Sequence, residues 1–264
     1  MPLIKAIHSL AQGCLPEKFR KRLGSLLGPV EIGFFRPVEG LVFDLKGGQF
    51  RADGCVFDIP KHLTTRGYRS CFLDGDYEDD ERALIKKFLR PDDTVLECGA
   101  CLGIVSCVTN SLLCDKSRHV VVEANPKVIP ALYRNRTLNR AGFLIEHCAI
   151  SSRSEETFYL HPKYIVGGTS QRPSDEVVRL PGRSVRELDA RYGPFTVLIM
   201  DIEGSELDAF QAAGDLFSRY RLVIVELHPW AIGEAKVQQC RDILAAAGLR
   251  HVGTAGITEA WQRD

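Results

Sequence analysis

From Thr94 onward, short apolar runs alternate with amphipathic stretches. "TVLEC", "HVVVEA", "FLIEHCAI", "TVLIMDI" and "RLVIVELH" are rich in Val, Ile and Leu. Runs of this kind predict strands buried on both faces of a parallel sheet. The stretches "IVSCVTNSLL", "PKVIPALYRNRTLNRAG", "SELDAFQAAGDLF" and "AKVQQCRDILAAAG" carry helical spacing, with Gly248 as the stop of the last. Such alternation implies a doubly wound α/β layer.

The pattern is different elsewhere. Residues 1 to about 30 read as helical, and about 31–75 as small antiparallel strands, because "GLVFDLKGGQFRADGCVFDIP" breaks β-prone runs with glycine. "YEDDERALIKKFLR" predicts a helix. Its acidic start complements the helix dipole, Leu84, Ile85, Phe88 and Leu89 share a face, and Pro91 follows the end. "EETFYLHPKYIVGGTS" reads as a β-hairpin insertion, with "GGTS" as a lid or an ordinary turn, and "LRHVGTAGITEAWQ" as two short strands around a glycine turn. The expected division is therefore 1–75, an N-terminal helix with a small β extension, and 76–264, the α/β domain.

Composition narrows the classes. The chain has 264 residues, 45% of them hydrophobic, enough for a well-buried core. Lys+Arg and Asp+Glu both number 34, so no basic excess points to a nucleic-acid partner. No apolar run is long enough to cross a bilayer. No secretory signal is evident at the start, and the basic amphipathic "EKFRKRLGSLL" reads as a solvated surface helix. Nine scattered cysteines then read as reduced thiols in a cytoplasmic protein.

The turn after the first strand, "ECGACLG", carries candidate chemistry. Gly99 and Gly103 let the backbone bend and let a ligand approach. The spacing is neither a dinucleotide fingerprint nor a P-loop, which disfavours a dehydrogenase. The turn is entered by a carboxylate, Glu97, and the second strand ends in another, Glu123, placed to accept ribose hydroxyls. A cationic, phosphate-free nucleoside fits both: S-adenosyl-L-methionine. Cys98 and Cys101 share this turn as a Cys-x-x-Cys pair, but they read as small buried fillers rather than a redox or zinc site.

On these residues the chain resembles the FkbM family of S-adenosylmethionine-dependent methyltransferases. The likeness runs from Asp76 to His228. It is carried by "DYEDDERALIKKFLRPDDTVLECGACLGIVS", "VVVEANPKVIPALYRNRTLN", "VLIMDIEGSELDAF" and "LVIVELHP". It implies a Rossmann-like seven-stranded class I methyltransferase fold with a reversed final hairpin. It implies methyl transfer, most often to oxygen on small molecules, sugars or lipids. It assigns Glu97, Gly99, Ala100 and Gly103 to the methionine half and Glu123 to the ribose. Asn125 and Ala149 fall beside adenine, Tyr77 and Glu78 over the methionine carboxylate and amine, and Asp201 next to the methyl group. Glu97 stands where many members have aspartate.

An alcohol acceptor loses its proton as it attacks, so a base is expected. Asp201, Glu203, Glu206, Glu226 and His228 are the candidates, with His228 leading because imidazole titrates near neutrality, and Glu203 second. Asp201, Glu226 and His228 could hold a hard divalent cation, but no spacing demands one and no metal is assigned. A regulator that binds the cofactor without turnover, and an N-methyltransferase, are the alternatives. Trp230 and the basic Arg134, Arg136 and Arg140 read as packing and solvated surface. A small-molecule acceptor is the expected partner, and a homo-oligomer is compatible.

Overall fold

The computed structural model describes residues 29–73, 75, 77–160 and 176–263. The helix expected over the first 30 residues thus lies almost wholly outside the described residues, as does "GGTS". The chain divides into two compact units, one ending at Tyr77 and the other running from Glu78 to Asp264.

In the first unit, helix α1 (Pro29–Leu45) extends through Gly40, a stretch expected as strand. The apolar positions Gly40, Phe43 and the chain between them fit helical spacing as well as strand alternation, and burial of Phe43 favours the helix. A hairpin follows as expected, β1 (Gln49–Ala52) against β2 (Cys55–Asp58). Its two-residue turn, Asp53-Gly54, has positive φ at both positions, the geometry that twists with the strands. Helix α2 (Arg66–Arg69) brings Arg69 onto Asp44 of α1 at 2.7 and 2.8 Å, a buried bidentate pair.

The second unit opens with α3 (Asp79–Phe88), then β3 (Val95–Cys98), α4 (Ile104–Leu112), β4 (His119–Glu123), α5 (Ile129–Leu138) and β5 (Leu144–His147). A side sheet of β6 (Ala149–Ile150), β7 (Glu155–Leu160) and β8 (Glu176–Arg183) intervenes, with β7 and β8 antiparallel. Helix α6 (Val185–Tyr192) leads to β9 (Val197–Met200), α7 (Glu206–Ala213), β10 (Leu222–Glu226), α8 (Pro229–Ile232), α9 (Glu234–Ala246), β11 (Arg250–Ala255) and β12 (Thr258–Gln262).

The main sheet has seven strands in the order β11-β12-β10-β9-β3-β4-β5, and only β12 runs against the others. Every residue of β3, β4 and β9 is buried, which is why these strands read as unbroken apolar runs. The protein is therefore α/β with a Rossmann-like, mostly parallel sheet. Two expectations need adjustment. "FLIEHCAI" is two strands in two sheets, β5 and β6, separated at Cys148. Helix α6 was not among the expected elements.

The order reverses between β3 and β9. From β3 the chain moves outward to β4 and β5, then returns on the other side with β9 and β10. In such a sheet the ligand crevice opens beyond the carboxyl ends at this reversal. Gly99 and Asp201 both sit there.

Candidate active site

At the tip of β3 the chain turns in the left-handed region three times, at Gly99 (φ +96°), Cys101 (φ +48°) and Gly103 (φ +77°). A Cβ on Gly99 would lie 1.7 Å from the Asp201 carbonyl oxygen, and one on Gly103 would lie 2.5 Å from Leu132 Cδ1. Glycine is required at both, at the first because two strand tips meet backbone to backbone.

Glu123, at the tip of β4, is turned into this bend. Its Oε2 accepts from the Cys101 N–H and its Oε1 from the Asn125 N–H, each at 2.6 Å. Burial pushes its carboxyl up to about 7, against the backbone N–H groups of Asn125, Cys101, Ala124 and Ala100, which hold it down. Two oxygens fixed by backbone donors keep lone pairs for hydroxyls that approach. Asn125 is buried, with Oδ1 accepting from Lys127 N–H at 3.0 Å, so it shapes the loop beyond β4. Ala149 opens β6 and is buried.

Glu97 departs from its expected role. It is 1% exposed, accepts from Ser106 Oγ of α4, and faces His119 Nε2 of β4 at 3.2 Å. Both carboxylate oxygens are engaged inside the unit, so it braces the turn from behind rather than offering itself to the methionine half. Cys98 is buried and Cys101 half-buried, and burial first holds both thiols well above their ordinary range.

A second group gathers at the tips of β9 and β10. His228 Nδ1 lies 2.8 Å from Glu206 Oε1. Its Nε2 lies 3.4 Å from Glu226, 3.5 Å from Asp201 and 3.8 Å from Glu203. Glu203 and Gly204 are both left-handed, at φ +55° and +107°, which folds "DIEG" back toward the histidine. Glu206 is wholly buried and also accepts from Gly204 N–H at 2.8 Å, so it fixes that fold and the imidazole together.

His228, the leading candidate base, is thus enclosed by carboxylates. Burial pulls the His228 imidazole down, yet the Glu206 hydrogen bond and the Glu226 and Asp201 carboxylates outweigh it and raise it to about 10. Carboxylate oxygens lie within 3.8 Å of both ring nitrogens, and the ring is 1% exposed. Asp201, Glu203 and Glu226 are instead about a quarter exposed, at 26, 25 and 27%. Burial and the Glu226 charge hold Asp201 well above the usual carboxylate range, with His228 acting in the other direction.

Glu78 stands at the head of α3 in the left-handed region, φ +54°. Tyr77 belongs to the first unit, where its hydroxyl lies 2.9 Å from that of Tyr68 and its ring packs 4.4 Å from Phe72. Sequence reasoning passed over Glu81. It is 5% exposed. Burial first, then the charges of Asp201, Glu78, Glu97 and Glu226, raise its carboxyl far above the ordinary range. The signal was present: Glu81, Leu84, Ile85 and Phe88 fall at helical spacing on one face.

A family model described as the methyltransferase FkbM domain matches residues 97–250, more than half of the chain. The chain belongs to the FkbM methyltransferase family. The matched stretch begins at Glu97 and spans the glycine bend, Glu123 and the "DIEGSE…ELH" group. As an FkbM methyltransferase it is an S-adenosyl-L-methionine-dependent enzyme, and that molecule is its cofactor. No curated protein sequence matches the chain.

Among solved structures it is similar to a precorrin-6y C5,15-methyltransferase of Geobacter metallireducens, at 12% identity and TM-score 0.45, over 79% of this chain and 94% of that one. It is similar to a putative rRNA methylase of Clostridium thermocellum, at 10% identity and TM-score 0.46, over 69 and 92%. A putative O-methyltransferase of Klebsiella pneumoniae is 12% identical at TM-score 0.43, over 96 and 99%. Among the described residues no helix is long and apolar enough to cross a membrane.

Proposed function

We propose that this FkbM methyltransferase moves the methyl group to a hydroxyl oxygen of a small molecule, a sugar or a lipid. The observation that carries the reading is the trio of partly exposed carboxylates, Asp201, Glu203 and Glu226, at the strand tips beside the glycine bend. A hydroxyl gives up its proton as it attacks, and these groups offer acceptor oxygens where the acceptor would stand.

In this reading Gly99, Ala100 and Gly103 admit the cofactor along the backbone, and Glu123 takes its ribose. Asn125 and Ala149 border the adenine, and Glu78 receives the amino group. Bound there, the cofactor supplies an electrophilic methyl on a positively charged sulfur. Asp201 and its neighbours would take the acceptor's proton, while His228 holds their oxygens in place as a positioning residue. Alignment and exclusion of water supply the rest of the acceleration.

The test is S-adenosylhomocysteine formation from a panel of sugars, hydroxylated lipids, phenols and amines. Turnover with hydroxyl acceptors that falls at least a hundredfold in Asp201→Asn supports the reading. Turnover confined to amines defeats it.

A further inference from the structure

We propose that Trp230 is the platform on which the methyl acceptor lies, and that this acceptor is a sugar ring carrying no carboxylate or phosphate group. The inference rests on the hydroxyl-transfer reading and narrows it.

The sequence assigns Trp230 to packing, yet it is 56% exposed on helix α8. An indole more than half exposed beside a polar crevice is a large apolar surface in contact with water, and such surfaces mark binding sites. Its place is fixed. The ring centroid lies 5.2 Å from that of His228, at an interplanar angle of 79°. The N–H groups of Ala231 and Ile232 both donate to the His228 carbonyl, at 2.9 and 3.0 Å. Ala231 also packs against the "DIEG" turn, where a Cβ on Gly204 would come within 2.9 Å of its own Cβ. Trp230 is thus carried by the short stretch that sets His228, whose Nε2 lies within 3.8 Å of Asp201, Glu203 and Glu226.

A second exposed apolar side chain borders the tip of β10. Ile257, in the turn from β11 to β12, is 44% exposed. Its carbonyl accepts from the Leu227 N–H at 3.3 Å, and the next residue, Thr258, donates from Oγ1 to Glu226 Oε2 at 3.2 Å. The acidic oxygens therefore have apolar neighbours on the chain leaving β10 and on the turn into β12.

This combination selects the occupant. Carboxylates accept hydrogen bonds and do not donate them, so three separate ones ask for several donors on one ligand. A phenol or a fatty alcohol offers one hydroxyl. A sugar ring offers several around its edge and C–H groups on its face, and the face suits the indole while the edge suits the carboxylates. Charge decides the rest. Asp201, Glu203, Glu226 and the buried Glu206 outnumber the one imidazole, so an anionic group on the acceptor would be repelled.

The chain has two tryptophans, and the other, Trp261, is 7% exposed. Acrylamide quenching of the intrinsic emission therefore reports Trp230. Full-length protein saturated with S-adenosylhomocysteine is titrated with neutral methyl pyranosides, the matching uronates, linear polyols and fatty alcohols. Saturable protection from quenching by at least one neutral pyranoside is expected, with the matching uronate weaker by about tenfold or more. In turnover with S-adenosylmethionine, Trp230→Ala should raise KM for that pyranoside by about tenfold or more and leave kcat within about threefold, and Trp230→Phe should recover most of the loss. Affinity for S-adenosylhomocysteine should be the same in both variants as in the unsubstituted chain. No protection by any pyranoside, equal protection by the uronate, an unmoved KM in Trp230→Ala, or loss of S-adenosylhomocysteine binding in Trp230→Phe overturns the platform. Turnover of hydroxyl acceptors that leave Trp230 open to quenching removes the platform alone, and turnover confined to amines removes the hydroxyl-transfer reading as well.

Discussion

Residue identity in this protein is decided by where a carboxylate points, and Glu97 and Glu123 make the contrast. Both end strands in the sequence, and both were expected to face the cofactor. One faces Ser106 and His119 in the interior, and the other faces the glycine bend. Strand position was legible, but the choice between them depends on cross-strand neighbours that no spacing reveals. Glu123 also sets a pH dependence. Its pKa rises from an ordinary 4.5 to about 7 in the folded protein. The folded state holds this proton more tightly than the unfolded chain, so the group favours folding fully below pH 4.5. That advantage is lost as the pH climbs through about 7. Urea midpoints of cofactor-free protein between pH 4 and 8 should therefore decline for the unsubstituted chain more steeply than for Glu123→Gln. Parallel curves would show that this carboxyl does not titrate there.

At the scale of elements, the parallel strands were the most legible part. Their apolar runs are continuous because both faces are covered, and that is a property of sequence alone. The boundary of α1 was not legible, because a short apolar run such as "GLVF" suits helix and strand equally until Phe43 finds its packing partners. Helix α6 is a different case. Its start carries Ser184-x-x-Glu187, and the structure forms the full reciprocal box: Ser184 Oγ accepts from the Glu187 N–H, and Glu187 accepts from the Ser184 N–H at 2.7 Å. The signal was in the sequence and was overshadowed by the hairpin before it. Two satisfied donors at one helix start contribute on the order of 1 kcal/mol. Ser184→Ala should lower unfolding free energy by about that amount in urea, with no change in affinity for S-adenosylhomocysteine. A loss of affinity would mean that α6 bears on the cofactor site.

For the whole molecule, formal charge balances at 34 against 34, yet the second unit gathers acidic groups around one crevice. Charge counts over the chain could not reveal this, because the balance is met elsewhere, by exposed pairs such as Arg186 with Asp215 and Lys127 with Glu176. The acidic crevice works against folding, since like charges near one another and out of water raise the energy of the ligand-free state. Glu81 is the sharpest instance, because it is 5% exposed on α3 and the charges of Asp201, Glu78, Glu97 and Glu226 act on it. Nothing in the packing of α3 demands an acid there; glutamine has nearly the same shape. An acid there makes sense if a cation enters the crevice, and then the substitution should separate stability from binding. Glu81→Gln should raise the melting temperature of the cofactor-free protein at pH 8, by an amount corresponding to about 1–2 kcal/mol. It should also weaken S-adenosylmethionine more than S-adenosylhomocysteine, because only the former brings a sulfonium charge to the Asp201 side of the crevice. Thermal denaturation and calorimetry with both ligands measure the two effects. A variant that melts lower, or that loses both ligands equally, would assign Glu81 to packing and remove it from the electrostatics of the site.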